Sequence, residues 1–372
     1  MKRFRAAHAA AQNWLDAGNK CLAQLGDIPP QANLGFLYTT DEFTADLPNI
    51  LNFFKQRSGI EHWVGTVGMG ICSAGQQYYD TPAVSVLIAE FPAGSFRVFK
   101  SLRDDLSDFQ TAHQAWCDET GSRFAIVHGD PRHPKLPYLI DGLAEALNGG
   151  FLVGGLTSAR GAHAQIAEQI MEGGLSGVLF GADVAVATTL TQGCAPFGER
   201  HEISACERNI IISLDGKPAL DVFHQEIGDI LARDPQQAAR YIGAALPVTG
   251  SDTGDYLVRN IVGMDAENKL LVIGDWLHTG QHIQFCRRDT VSAQKDLERM
   301  LRELKARLPH APKGGVYYSC VGRGRHLFGD DSAELKTIQR ELGDVPIAGF
   351  FCNGEISHNR LYGYTGVLTL FL

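Results

Sequence analysis

The chain has 372 residues, enough at roughly 150 residues per domain for two or three domains with filled cores. Hydrophobic residues make up 44% and charged residues 20%, a balance that excludes long disorder. The 33 Lys+Arg against 42 Asp+Glu give a net charge of -9, which sets nucleic acid and anionic membrane aside as partners because both demand a basic face.

The opening segment, MKRFRAAHAAAQNWL, is basic but has no uninterrupted apolar stretch, so it reads as no signal peptide. No run approaches the 18 apolar residues of a membrane span. From residue 33 the same pattern occurs three times: apolar strand, polar loop, amphipathic helix, strand, glycine-rich loop, strand. The first copy runs from NLGFLYT to AVSVLIAEF, the second from FAIVHG to SGVLFGADVAVATTL, the third from GVYYSC to YTGVLTLFL. Leu34 to Gly65 spans 31 positions, Phe124 to Gly154 spans 30 and Val316 to Gly349 spans 33. A helix between the first two strands of each copy favours their parallel pairing, and the third strand is expected beside the second.

Between the second and third copies the pattern changes to a β-rich insert. Asn209–Leu214 reads as a strand ending in an Asp215-Gly216 turn, and Pro218 is placed to open the helix PALDVFHQEIGDIL. YLVRNIVGM pairs with KLLVIGDWL across DAENK, and HIQFCRR follows. Thr290 is expected to cap a long helix with Leu297, Met300, Leu301, Leu304 and Leu308 on one face. The fold class is therefore α/β, with mixed sheets built from three βαββ-like units plus the β-rich insert, in two domains, 1–220 and 221–372. Eight scattered cysteines without a CxxC pair point to reduced thiols in the cytoplasm.

The last third carries YSCVGRGRHLFG (318–329), VPIAGFFCNGEI (345–356) and YTGVLTLF (364–371), and upstream stand FLVGG (151–155), QGCAPFG (192–198), LDGKPAL (214–220) and Arg287-Arg288-Asp289. Together these motifs resemble the FIST family, N- and C-terminal sensory domains of signal transduction proteins, over residues 33 to 372. The resemblance implies a protein that binds a small ligand such as an amino acid and passes the bound state to a signalling partner. As the family's usual fused output domain is missing, that partner is expected in trans, a histidine kinase or a cyclic-dinucleotide enzyme. Haem is the alternative cofactor the resemblance implies, since some relatives sense nitric oxide through it.

Chemistry narrows the ligand site to two loops of the third copy. Ser319-Cys320-Val321-Gly322-Arg323-Gly324 follows a predicted strand, where open α/β sheets bind ligands, and Arg323 between two glycines can present a fork to a carboxylate. Gly349 to Glu355 supplies Asn353, Gly354 and Glu355, an acceptor and a carboxylate suited to an ammonium group. The bland readings are a tight turn whose arginine grips a carboxylate of its own chain, Glu355 or Asp330, and an ordinary Asn-Gly turn. Cys320 as a nucleophile would need His326 or a helix N-terminus to activate it; a small buried residue ending a strand is the simpler reading. No GxSxG, HExxH or Walker loop occurs, so catalysis is not expected. For haem, His201, His278, His282, His326 and His358 are candidate axial ligands with nothing to choose between them. If the three copies pack around a common axis, their loops converge.

Overall fold

Each repeat begins as its spacing requires. In the first, strand Leu34–Thr40 lies parallel to His62–Gly68, with helix Leu47–Ser58 crossing between them. The second pairs Phe124–Gly129 with Phe151–Leu156 around helix Leu136–Ala146, and the third pairs Gly314–Cys320 with Ile347–Cys352 around helix Ala333–Leu342. This computed structural model describes residues 4–232, 241–248 and 256–372.

The third strand of each repeat departs from the sequence expectation. It runs antiparallel beside the first strand, not beside the second: Ala83–Ala89 on Leu34–Thr40, Leu175–Phe180 on Phe124–Gly129, Thr365–Phe371 on Gly314–Cys320. The physical reason is that the glycine-rich segment between second and third strands is itself a hairpin, and it takes the free edge of a second strand in another repeat. Hairpin 70–79 of the first repeat adds to Ile347–Cys352 of the third. Hairpin 164–172 of the second adds to His62–Gly68 of the first, and hairpin 355–362 of the third adds to Phe151–Leu156 of the second. A leading strand completes the other edge of each sheet: Phe4–Ala10, Phe96–Leu102 and Val186–Gln192. Three six-stranded sheets of one common order result, related by a pseudo-threefold axis.

Glycine at one position of every second strand permits the parallel pairing. A Cβ on Gly65 would lie 1.8 Å from the Leu37 carbonyl oxygen, on Gly154 1.8 Å from that of Val127, and on Gly349 1.7 Å from that of Tyr317. The inner faces of the three sheets share one core that includes Phe36, Ile126, Val316, Phe350 and Phe371. The outer faces are covered by helices. Trp14–Leu25 and Leu47–Ser58 contribute Cys21, Ile50 and Phe54 to the first, and Ser107–Thr120 and Leu136–Ala146 contribute Phe109 and Leu139 to the second. Helices Thr290–Arg307 and Ala333–Leu342 contribute Leu297, Leu301 and Ile338 to the third. The N-terminus of the long helix is held by Asp289, which accepts from Ser292 N at 3.0 Å, one residue before the expected cap at Thr290.

By compactness the described chain divides into residues up to 191 with 296–372, and residues 192–295. The second unit is the β-rich insert, a seven-stranded sheet in which Ile210–Leu214 turns through Asp215 and Gly216, both at positive φ, and Tyr256–Asp265 pairs with Leu270–Ile273. Helix Ala219–Ala232 buries Leu220 and Phe223 in its core. Among the described residues no helix is long and apolar enough to cross a membrane.

The glycine constraint gives a direct test. Gly154→Ala forces a methyl group onto the Val127 carbonyl at a backbone φ of 153°, and we expect a loss beyond about 4 kcal/mol or failure to fold, read by denaturant unfolding. Gly149→Ala, where nothing lies within 4 Å of the new atom although φ is 74°, should cost far less.

Candidate functional site

The loops of the three repeats do converge at the C-terminal ends of their first strands. Ser158 of the second repeat accepts from Met69 N of the first at 2.9 Å and donates to the Phe351 carbonyl of the third. Arg160 N donates to Asp41 Oδ2 at 2.8 Å, and the guanidinium groups of Arg160 and Arg325 both close on the carboxylate of Asp80. Just below, at equivalent places on the three first strands, stand Tyr38, His128 and Tyr318, all fully buried. Tyr38 Oη lies 2.8 Å from Tyr318 Oη and 3.3 Å from His128 Nε2. Burial drives the imidazole of His128 down to a pKa of about 3, so it is neutral.

Arg323, expected to face a ligand, does grip a carboxylate, but that of Glu334 in its own chain. Arg323 Nε donates to Glu334 Oε1 at 2.8 Å and Nη2 approaches the same oxygen at 2.7 Å, both side chains being 0% exposed. Tyr317 Oη donates at 2.7 Å, Ser319 Oγ at 3.2 Å and Gly324 N at 3.1 Å, so Glu334 is fully coordinated. Desolvation opposes the guanidinium charge, but Glu334 outweighs it and holds Arg323 protonated. This is the bland reading of the loop with a different acid: Glu334, not Glu355 or Asp330.

The second loop is divided in the same way. Gly349 is needed for strand pairing, Asn353 is exposed, and Gly354 O accepts from Leu156 N at 2.8 Å as the chain passes into another sheet. Glu355 is fully buried on the exchanged hairpin. Its Oε2 accepts from Thr365 N at 3.1 Å and Thr365 Oγ1 at 2.8 Å, while the Cys320 thiol lies against the carboxyl group. Burial raises Glu355 to a pKa of about 8 despite those hydrogen bonds. Burial first, then Glu355, also push the Cys320 thiol well up, the opposite of an activated nucleophile. Gly322 packs beside Tyr364, and Gly324 takes a φ of 46° against Tyr79. The structure thus brings Ser319, Arg323 and Gly324 together on Glu334, and Cys320 together with Glu355.

At the opposite end of the sheets lies a cavity of 310 Å³ that the sequence did not disclose. Phe4, Phe91 and Phe371 form its floor, with ring centroids 5.1–5.4 Å apart. Pro92, Val184, Ala185 and Leu372 add apolar wall, and the charged rim is Glu90, Asp183 and Lys313. Lys313 Nζ donates to the main-chain oxygen of Leu372. Three charged groups beside seven apolar residues around a void of this size fall within the range of small-molecule sites.

The N-terminal part of the chain, residues 33–217, matches the FIST N domain, and residues 219–358 match the FIST C domain. The chain belongs to the FIST family. FIST domains are sensory domains of signal transduction proteins. The chain is 30% identical over 323 residues to the uncharacterized protein Rv0628c of Mycobacterium tuberculosis, covering 83% of each. It is 28% identical over 376 residues to the uncharacterized protein Mb0898c of Mycobacterium bovis, covering 98% of this chain and 96% of that one. An F-box/LRR-repeat protein of Arabidopsis thaliana is 30% identical over 110 residues, 28% of this FIST chain and 21% of the plant protein.

Two predictions follow from the buried charges. Arg323→Met leaves the buried Glu334 carboxyl group without its guanidinium partner, which should cost about 3–5 kcal/mol, whereas Arg323→Met with Glu334→Leu should recover most of it; equal losses in both would show that the cost does not come from the unpaired acid. Glu355 keeps its proton to about pH 8 when folded, against 4.5 for an ordinary glutamate. Between those values only the unfolded chain has released it, so stability falls as pH rises, by up to about 1.4 kcal/mol per pH unit, and levels off above pH 8. Denaturant unfolding of Glu355→Gln should therefore show a stability gain over wild type that grows from pH 5 to pH 8; a gain independent of pH would refute the assignment.

Proposed function

We propose that this FIST protein is a non-enzymatic sensor whose 310 Å³ cavity takes a small polar ligand, an amino acid or a molecule like it, and that it reports occupancy to a separate signalling protein. The observation that carries this reading is the cavity itself, which sets a lysine and two carboxylates around a phenylalanine floor. A zwitterion needs one group of each sign, and the rim holds both. The interior residues of the third repeat support it indirectly: Arg323, Glu334 and Glu355 are engaged within the protein, which leaves the cavity as the better place for a ligand. A histidine kinase or a cyclic-dinucleotide enzyme is the kind of output partner a sensory domain serves. We place the protein in the cytoplasm, where eight free thiols stay reduced.

A thermal-shift panel of amino acids, other small metabolites and haem tests this. Ligand at 100 times its Kd stabilises by about 2.7 kcal/mol, which should raise the unfolding midpoint by roughly 5–10 °C. Ala185→Trp, at an exposed position on the cavity wall, should abolish the shift by filling the space. A shift from haem alone, or an amino-acid shift that survives Ala185→Trp, would count against the cavity as the sensory site.

A further inference from the structure

The β-rich unit closes on itself. Cys194–Glu207 pairs with His282–Arg288 along one edge and with Ile210–Leu214 along the other. Through Ile242–Pro247, Tyr256–Asp265 and Leu270–Ile273 these strands complete a barrel. His201 faces into it: its register partner is Ile283, a core residue, and its ring centroid lies 6.1 Å from that of Phe285. The imidazole is 9% exposed and stands between two carboxylates carried by different elements. Nδ1 lies 2.6 Å from Asp215 Oδ2, in the turn after Ile210–Leu214, and Nε2 lies 3.4 Å from Glu226 Oε1, on helix Ala219–Ala232. Asp215 is exposed and its Oδ1 also accepts from Glu202 N at 2.9 Å. Glu226 is 13% exposed and lies over Gly198, where a Cβ would come within 1.6 Å of Oε2. Among the described residues no hydrogen bond and no second ion pair reaches it. The other titratable groups of these elements are Glu199, Arg200 and Glu202 on the same strand, Lys217 on the turn, His224 on the helix and His282 on the neighbouring strand. All are at least partly exposed, and none forms an ion pair with the ring or with Glu226.

A neutral imidazole has one N–H and one bare lone pair. With the proton on Nδ1, the lone pair of Nε2 faces Glu226; with the proton on Nε2, the lone pair of Nδ1 faces Asp215. Either tautomer sets a lone pair against a carboxylate, and only the imidazolium donates to both. Without its second proton the ring leaves Glu226 a largely buried charge with no donor, an arrangement that costs free energy. Just past Glu226 the helix is interrupted at Gly228, with φ 73° and ψ 165°, where a Cβ would meet nothing within 4 Å. The turn that Glu226 anchors thus ends at an unpacked break. We propose that His201 is a proton-operated clasp: its imidazolium ties the turn at Asp215 and the helix at Glu226 to the barrel, and loss of the proton releases the helix end at the Gly228 break. The clasp is shut in acid and opens as pH rises, because the shut form holds the extra proton. It lies wholly within residues 192–295 and stands apart from the reading of the cavity.

Two measurements on the full chain test this. Hydrogen exchange, read by mass spectrometry on peptides covering residues 219–228 and divided by the intrinsic rate at each pH, follows the release of the helix. Imidazole nitrogen NMR spectra of histidine-labelled protein, with His201 assigned by its absence in His201→Gln, follow the proton. We expect protection of residues 219–228 to fall by roughly 10-fold, the effect of one opposite charge on a neighbouring proton equilibrium. The fall should span the interval between about pH 5 and pH 8 in which the His201 signals pass from the doubly to the singly protonated pattern. Glu226→Gln and Asp215→Asn each supply an N–H donor to the ring's lone pair, so a neutral imidazole satisfies both neighbours and protection should be flat with pH in both variants. Glu355 also titrates near this range, but it is common to wild type and variants, so the comparison isolates His201. Constant protection while the His201 ring loses its proton would overturn the clasp, and so would a ring that stays neutral throughout with the helix protected. A fall in protection that persists in both variants would assign the pH dependence to another group and overturn it equally.

Discussion

Every repeat leaves one edge of its second strand without a partner of its own, and another repeat's hairpin closes it. Unpaired backbone groups in a buried sheet are costly, so each sheet is completed by one other repeat, and the set of three closes only when all three repeats are present. The exchange is cyclic: the first repeat serves the third, the third serves the second, the second serves the first. Folding therefore depends on contacts far apart in sequence, such as Ile71 with Phe350 and Ile356 with Gly154, a topology associated with slow folding. The glycines at 65, 154 and 349 are the local condition for it, because the parallel pair that presents the free edge forms only where no Cβ meets the facing carbonyl.

The pseudo-threefold axis sorts polarity along its length. Near the C-terminal ends of the first strands the equivalent positions are Tyr38, His128 and Tyr318, joined by hydrogen bonds. At the strand starts the equivalent positions are Ala89, Phe180 and Phe371, by their pairing with Leu34, Phe124 and Gly314. Where the first repeat has alanine, Phe91 fills the place two residues on, packing against Phe180 and Phe371 at 5.2 and 5.1 Å. Phe4 occupies the space above Gly314, where a Cβ would come within 2.7 Å of its ring. The polar end is closed by its own hydrogen bonds and ion pairs, whereas the aromatic end opens into the cavity.

Much of this was legible in the sequence, and the failures have physical causes. Spacings of 31, 30 and 33 residues disclosed the repeats, and the helix between strands disclosed their parallel pairing. The hairpin exchange was hidden because an alternating strand looks the same whether it joins its own sheet or another. Phe4–Ala10 escaped notice because an alanine-rich strand carries little hydrophobic alternation. In the loop around Arg323 the chemistry was read correctly as carboxylate recognition, yet local sequence does not distinguish a ligand's carboxylate from that of Glu334 on the following helix. The cavity is built from five separate segments around Phe4, Phe91, Val184, Lys313 and Phe371, so no motif announces it; the nearest signal was the aromatic residues at equivalent strand ends.

The repeats also explain where the β-rich unit enters the chain. In the first repeat the leading strand Phe4–Ala10 is followed within four residues by helix Trp14–Leu25, and in the second Phe96–Leu102 is followed within five by Ser107–Thr120. In the third, Val186–Gln192 and helix Thr290–Arg307 hold the same two places, and the whole unit lies between them. A loop whose ends are already fixed by the surrounding fold accepts a long insertion at small entropic cost, the more so when the insertion has a core of its own. The same arrangement gives the cavity a covalent connection to that unit. Val184 and Ala185 line the cavity, the next residue opens strand Val186–Gln192, and the chain then enters Cys194–Glu207, the insert's first strand. The turn at Asp183 leads into a strand that pairs along Thr365–Phe371, so the chain runs from the cavity wall to the insert through a hydrogen-bonded element and not through a free loop.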